Sequence, residues 1–196
     1  MYDCPLLSFF LWDRNCRNAE WYKIISSWTY RYDNTVRLCL KHIANGESIL
    51  DVGCSLGIIA ILLKLNLRES EVKCVDVGKA PVVDILPFFP EIKVDFEIDN
   101  VLSLRNRADW IICTEVLEHL EDDKAGLVRV YENCKKGVVL SVPNEKSRQG
   151  IEGHKRTYTK EAFGNLISQV TGNFELADDP MNRCHNFAII KKLEAM

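Results

Sequence analysis

The sequence predicts an α/β fold, a doubly wound and mostly parallel seven-stranded sheet with an antiparallel last strand and an N-terminal helical cap. Three observations predict it. From residue 48 onward, short apolar runs alternate with stretches of helical length and spacing, the pattern of a sheet covered on both faces. The first apolar run ends in a glycine-bearing turn, Asp51-Val52-Gly53-Cys54-Ser55-Leu56-Gly57. The last two apolar runs have no helix between them, which predicts an antiparallel edge pair.

Each element has its own signal. Residues 1–47 hold Trp12, Trp21, Trp28, Tyr22, Tyr30 and Tyr32 and read as helical. Such a segment can cover the sheet's edge, close over a ligand, or do both. The domain proper is expected over residues 48–196. Residues 48–52 are a short apolar strand, 56–67 an apolar helix and 72–77 a second strand. A short helix is expected over 81–89, bracketed by Pro81 and Pro90, and the alternation over 92–98 marks a third strand. A buried strand follows at 110–114, then a helix over 122–134 that Asp122 or Asp123 can start. Residues 138–142 are a fully apolar strand. Thr159 caps a helix to about Val170, with Glu161 in its first turn. Strands at 173–177 and 186–193 complete the sheet.

Composition bounds the function. A chain of 196 residues suits one domain with one substantial core. At 47% hydrophobic and 27% charged residues it reads as globular rather than disordered. No apolar run approaches the roughly 20 residues a membrane span needs. Phe9-Phe10-Leu11 lacks a basic leader and a small-residue cleavage site, so it is not read as a secretory signal. The eight cysteines include no C-x-x-C pair, which favours reduced thiols and a cytoplasmic setting over a disulfide framework or a zinc site. A net charge of −3 without a long basic run argues against nucleic acid as partner.

The chemistry gathers at strand ends. In open α/β sheets, ligands bind beyond the carboxyl ends of the strands. Glycine lets the first turn adopt positive φ and lets its backbone approach a ligand, and the next helix offers free N–H groups there. A turn of this kind also serves as a plain strand-to-helix connection. Asp76 ends the second strand about 20 residues past the turn, where dinucleotide-type sites place an acid against ribose hydroxyls. A solvated loop aspartate is the alternative. Ile59 departs from a strict G-x-G-x-x-G pattern, which argues against a nicotinamide enzyme.

Together, Ile49-Leu50-Asp51-Val52-Gly53-Cys54-Ser55-Leu56-Gly57, Asp76, Asp99-Asn100, Cys113-Thr114-Glu115-Val116-Leu117-Glu118-His119-Leu120, Val142-Pro143-Asn144 and residues 154–159 resemble the ordered motifs of class I S-adenosylmethionine-dependent methyltransferases. The likeness covers roughly residues 34–193 and implies a Rossmann-like fold with S-adenosylmethionine as cofactor. By that resemblance Asp51, Gly53, Ser55 and Gly57 surround the methionine part. Asp76, with Val77 beside it, binds the ribose diol, and Asp99 with Asn100 lies near the adenine amino group. Glu115 and Val116 lie under the sulfonium and the substrate. Ser55 stands where the family often has glycine. Asn34-Thr35-Val36-Arg37-Leu38 is similar to a stretch of ubiquinone-type O-methyltransferases whose arginine pairs with the cofactor's carboxylate, a task suited to a planar guanidinium. A solvated helix arginine is the alternative for Arg37.

Glu115, Glu118 and His119 fall on one face of a helical turn. Two carboxylates and an imidazole can bind a divalent metal. Small-RNA 2′-O-methyltransferases resemble this pattern and add a further histidine. His154 is available here, but the downstream stretch lacks that family's paired histidines, and no metal is assigned. The favoured reading makes His119 a general base toward a hydroxyl, with Glu118 orienting it and His154 beside the acceptor. The plain reading has Glu118 and His119 bracing the loop, Tyr158 in the core and Thr159 as a cap. His42 and His185 have no partner nameable from sequence.

The expected function is therefore methyl transfer from S-adenosylmethionine to an oxygen, nitrogen or carbon of a small molecule, by a monomer or homodimer. Two other readings stand beside it: a metal-assisted RNA 2′-O-methyltransferase, and a non-catalytic scaffold that keeps the fold.

Overall fold

The computed structural model describes residues 19–80, 82–88, 90–146, 153–177 and 184–193. Along them run α1 (Ala19–His42), β1 (Ile49–Val52), α2 (Ile58–Asn66), β2 (Val72–Asp76), α3 (Val82–Ile85), β3 (Asp95–Ile98), β4 (Ala108–Thr114), α4 (Asp123–Asn133), β5 (Cys134–Pro143), α5 (Lys160–Ser168), β6 (Phe174–Ala177) and β7 (His185–Lys191). Single 3₁₀ turns lie at Leu86–Phe88, Val101–Ser103 and Leu117–His119. Trp12 lies outside the described residues, as do Pro81, Phe89 and the side chains of Trp21, Tyr22 and Trp28.

The seven strands form one sheet in the order β3-β2-β1-β4-β5-β7-β6. β1 to β5 are mutually parallel, and β7 runs antiparallel to β5 and to β6. The expected antiparallel pair is present, but only β6 is at the edge. β7 inserts between β5 and β6 because Phe187, Ala188, Ile189 and Ile190 are all buried, and a continuous apolar strand needs cover on both sides. The half-exposed β6 takes the edge.

Period-two alternation splits the core into two layers. Ile49, Cys74, Trp110, Ile112, Val139 and Ile189 face one layer, with α1 and α2. Leu50, Val52, Ile111, Cys113, Leu140 and Ile190 face the other, with α4 and α5. On α1, Val36, Cys39 and Ile43 form the buried stripe at helical spacing, so this part of the N-terminal segment builds the core. Cys39, Cys54, Cys74, Cys113 and Cys134 are buried as free thiols.

Element boundaries shift where local geometry overrides pattern. α2 begins two residues later than expected because Gly57, at φ +67°, is its N-cap. β3 begins at Asp95, although Ile92 and Val94 just before it are buried. β5 starts directly at the end of α4, four residues early, and carries exposed Lys135 and Lys136. Asp122 and Thr159 cap their helices as expected, accepting from the backbone N–H groups of Ala125 and Ala162. Because β1 to β4 are parallel, the segments after their last residues share one rim of the sheet.

Candidate functional site

The turn after β1 is held in left-handed backbone. Gly53, Ser55 and Gly57 have φ of +71°, +49° and +67°. A Cβ on Gly53 would stand 2.4 Å from Val116 Cγ2, and one on Gly57 2.1 Å from Val82 Cγ2. Glycine thus lets the turn, the loop after β4 and α3 press together. The Ser55 N–H donates to Asp76 Oδ2 at 2.9 Å and the Val77 N–H to Asp76 Oδ1 at 2.8 Å. Each carboxylate oxygen keeps a lone pair for a ligand hydroxyl.

An apolar shelf continues this rim. The exposed large hydrophobics among the described residues are Val77 (70%), Ile98 (60%), Leu102 (43%) and Leu193 (82%). The first three stand at or just past the ends of β2 and β3, and Ile98 is the strand partner of Asp76. Asp99 Oδ1 accepts the Asn100 N–H, and Asn100 Oδ1 accepts the Leu102 N–H, which fixes the loop behind the shelf. A planar base can lie here with its ribose at Asp76.

Asp51 is buried beneath the turn, and its Oδ2 has no hydrogen-bond partner among the described residues. Burial pushes its carboxyl up to about 7, with the Asp76 charge adding to the rise and a backbone hydrogen bond at Ala60 and the Arg31 charge opposing it. An ammonium group placed there would meet a carboxylate whose opposing positive charge, Arg31, does not hydrogen-bond it.

The loop after β4 holds two glutamates in contrasting settings. Glu115 adopts φ +56°. Its Oε1 accepts from Ser141 Oγ at 3.0 Å, and its Oε2 lies 3.4 Å from His185 Nε2 and 3.9 Å from Arg31. Burial alone would raise its carboxyl, but His185, Arg31 and Ser141 together hold it below the usual range. Glu118 is 0% exposed, and among the described residues no other side chain hydrogen-bonds its oxygens. Burial, then the charge of Glu115, pushes its carboxyl up to about 9.

Two imidazoles face Glu118. Its Oε1 lies 3.9 Å from His119 Nε2 and 4.0 Å from His154 Nε2. The rings meet edge to face at 4.6 Å. His119 Nδ1 lies 3.0 Å from the Gly153 carbonyl, so it is the protonated nitrogen and Nε2 keeps the free lone pair. Burial and the neighbouring His119 hold His154 below its ordinary value.

Residues 153–158 reach this position because they are strapped to the loop after β4. The Lys155 N–H donates to the Glu118 carbonyl, and Arg156 donates to the carbonyls of Leu120 and Glu121 and pairs with Asp123. Tyr158, which is buried, donates its hydroxyl to Asp123 Oδ2 at 2.8 Å.

The structure brings Asp51, Gly53, Ser55, Gly57, Asp76, Val77, Asp99, Asn100, Glu115, Val116, Glu118, His119 and His154 to the one rim. It does not bring Arg37 there. Arg37 is exposed, donates to Asn34 and pairs with Asp33 on its own helix. The basic groups beside Glu115 are Arg31 and His185 instead. Arg31 had a legible signal, since it precedes buried Thr35 and Cys39 by one and two helical turns, whereas Arg37 shares the polar face with Asp33 and Lys41. His185 had none, because its approach depends on strand pairing.

A family model for a methyltransferase domain matches residues 23–187. The chain belongs to that methyltransferase-domain family. Its fold is similar to magnesium protoporphyrin IX methyltransferase from Synechocystis PCC 6803, solved with bound S-adenosylhomocysteine, at a TM-score of 0.72 and 15% identity, covering 95% of this chain and 94% of that one. It is also similar to YcgJ from Bacillus subtilis (TM-score 0.66, 12% identity, 83% and 100% covered). A third likeness is the N-terminal domain of EvdMO1, solved with S-adenosylhomocysteine and D-fucose (TM-score 0.62, 14% identity, 82% of each chain). Comparison with curated proteins gives no match.

Proposed function

We propose that this protein transfers the methyl group of S-adenosylmethionine to an oxygen, nitrogen or carbon of a small-molecule acceptor. Asp51 and the turn at Gly53, Ser55 and Gly57 take the methionine part. Asp76 takes the ribose diol, and Val77, Ile98 and Leu102, with Asp99 and Asn100 behind them, take the adenine. Arg31, rather than Arg37, supplies the positive charge at this end. Glu115 and Val116 lie between donor and acceptor, and Glu118, His119 and His154 form the acceptor-activating group.

One observation carries the reading: Glu118 and His119, with His154 beside them, stand on the same loop as Val116, which packs on the turn at Gly53, His154 being brought there by the 153–158 strap. The sulfonium already activates the methyl group. The protein's task is to align donor and acceptor, exclude water and accommodate the acceptor's proton. A hydroxyl acceptor makes the strongest demand for that last step, and the free Nε2 lone pair of His119 is suited to it. Calorimetric titration with S-adenosylmethionine tests the donor half. One site in the roughly micromolar range is expected, and no binding at millimolar ligand contradicts the proposal.

A further inference from the structure

We propose that His185, with Glu115 behind it, is a general base of the acceptor half: its Nδ1 takes the proton of a hydroxyl acceptor, and Glu115 fixes the ring for that task. The inference rests on the methyl-transfer reading above and deepens it by adding a residue to the acceptor-activating group.

Placement is the first support. Glu115 Oε2 lies 3.4 Å from His185 Nε2. Both residues are held by β5. The Glu115 N–H donates to the Ser141 carbonyl at 2.9 Å, and Ser141 Oγ donates to Glu115 Oε1 at 3.0 Å. His185 is the strand partner of Pro143, two residues further along β5. Glu115 directly precedes Val116, which packs on the turn at Gly53, so the pair stands next to the donor half.

The second support is where the protons lie. Burial would raise the Glu115 carboxyl, but His185, Arg31 and Ser141 hold it below the usual range, so it is ionised at neutral pH. An ionised carboxylate only accepts hydrogen bonds. The ring nitrogen facing it therefore carries the proton, and Nδ1 of a neutral ring keeps the lone pair. Arg31, 3.9 Å from the same Oε2, already supplies the counter-charge, so the carboxylate does not require a charged ring.

The third support is the remaining nitrogen. His185 Nδ1 is buried and has no hydrogen-bond partner among the described residues. Buried polar atoms are normally satisfied, and a catalytic role is one reason for an exception. The hydroxyl of a bound acceptor supplies the partner here.

The backbone adds a fourth. Glu115 holds φ +56°, and Ser55 of the donor turn is the other non-glycine residue with positive φ among the described residues. Such strained positions cluster at functional sites. His119 lacks an equivalent partner. The carboxyl of its neighbour Glu118 is pushed up to about 9, first by burial and then by Glu115, and is protonated at neutral pH. Of the two glutamates, Glu115 is the one that offers an imidazole an ionised carboxylate.

As the acceptor oxygen forms its bond to the methyl carbon, the electron pair of the carbon–sulfur bond goes to sulfur. The O–H proton passes to His185 Nδ1, and the O–H electron pair stays on oxygen. The ring becomes an imidazolium, which Glu115 stabilises across Nε2.

The test is ring-nitrogen NMR of the full chain labelled with ¹⁵N-histidine, at pH 7.5, with and without S-adenosylhomocysteine. His185→Asn identifies the signals. His185 is expected to be protonated at Nε2 and bare at Nδ1. Glu115→Gln, whose amide can donate as well as accept, should mix the two tautomers. A ring protonated at Nδ1, or an unchanged tautomer in Glu115→Gln, overturns the pairing, and the natural chain's own spectrum decides if a variant fails to fold. The role as base is read from S-adenosylhomocysteine released with phenols and with the matching thiophenols, which ionise unaided. His185→Asn should lower the phenol rate about 100-fold or more and the thiophenol rate far less. Equal loss with both overturns the role. Titration with S-adenosylmethionine separates the two readings: failure of the natural chain to bind it removes the methyltransferase proposal, whereas binding with the wrong tautomer removes only the base.

Discussion

Asp51→Asn is expected to make the ligand-free protein more stable and its cofactor binding weaker, with both effects set by pH. The Asp51 carboxyl is raised from 3.8 to about 7, first by burial and then by Asp76. A carboxyl raised on folding holds a proton that the unfolded chain has lost. The folded state therefore loses stability as pH rises from about 4 to about 7, by roughly 1.4 kcal/mol per unit, or about 4 kcal/mol in all. Asparagine cannot ionise, so the variant escapes that loss, and its melting temperature should exceed that of the natural chain most clearly at pH 7.5. Binding runs the other way. The cofactor's ammonium favours ionised Asp51, so below pH 7 it must displace a proton. Lowering pH from 7.5 to 5.5 should weaken cofactor binding about 25-fold in the natural chain and little in the variant. Calorimetric titrations at pH 5.5, 6.5 and 7.5, with thermal unfolding at the same values, measure both. Equal affinity of the natural chain at pH 5.5 and 7.5, or the same slope in Asp51→Asn, would refute the reasoning.

Two further substitutions probe how the site is held. Gly57→Ala places a Cβ 2.1 Å from Val82 Cγ2 in left-handed backbone, and should cost about 2–4 kcal/mol from the backbone conformation and displacement of Val82. For a chain of this size that lowers the melting temperature by about 5–15 °C, and an unchanged transition contradicts the packing described. Tyr158→Phe removes the buried hydroxyl bond to Asp123 but leaves Arg156 on that carboxylate. It should cost about 1 kcal/mol in urea unfolding, and a loss of 4 kcal/mol or more would mean that Tyr158 carries the strap alone.

Much of the site was legible because it depends on local chemistry. Positive φ at Gly53 and Gly57 follows from a strand turning into a helix, and Asp76 at a strand end is a spacing statement. The caps Asp122 and Thr159 are read from residue type alone. Other features were ambiguous locally. Pattern marked Arg37, a residue with the right neighbours in sequence, yet its i−4 partner Asp33 holds it on the polar face of α1. Glu115 and Glu118 look equivalent in the sequence, but one has Ser141, His185 and Arg31 around it and the other is fully buried against two imidazoles.

What the sequence determined by itself is the alternation of elements, the parallel sheet and the acids and glycines at its rim, because periodicity and turn chemistry act within a few residues. What only the tertiary structure decided is which charges meet. β7 inserts beside β5 and so carries His185 to Glu115, and the strap at residues 153–158 carries His154 to Glu118 across more than thirty residues of chain. Electrostatic environment depends on distance in space and on exclusion of water, and neither is written in the order of the residues.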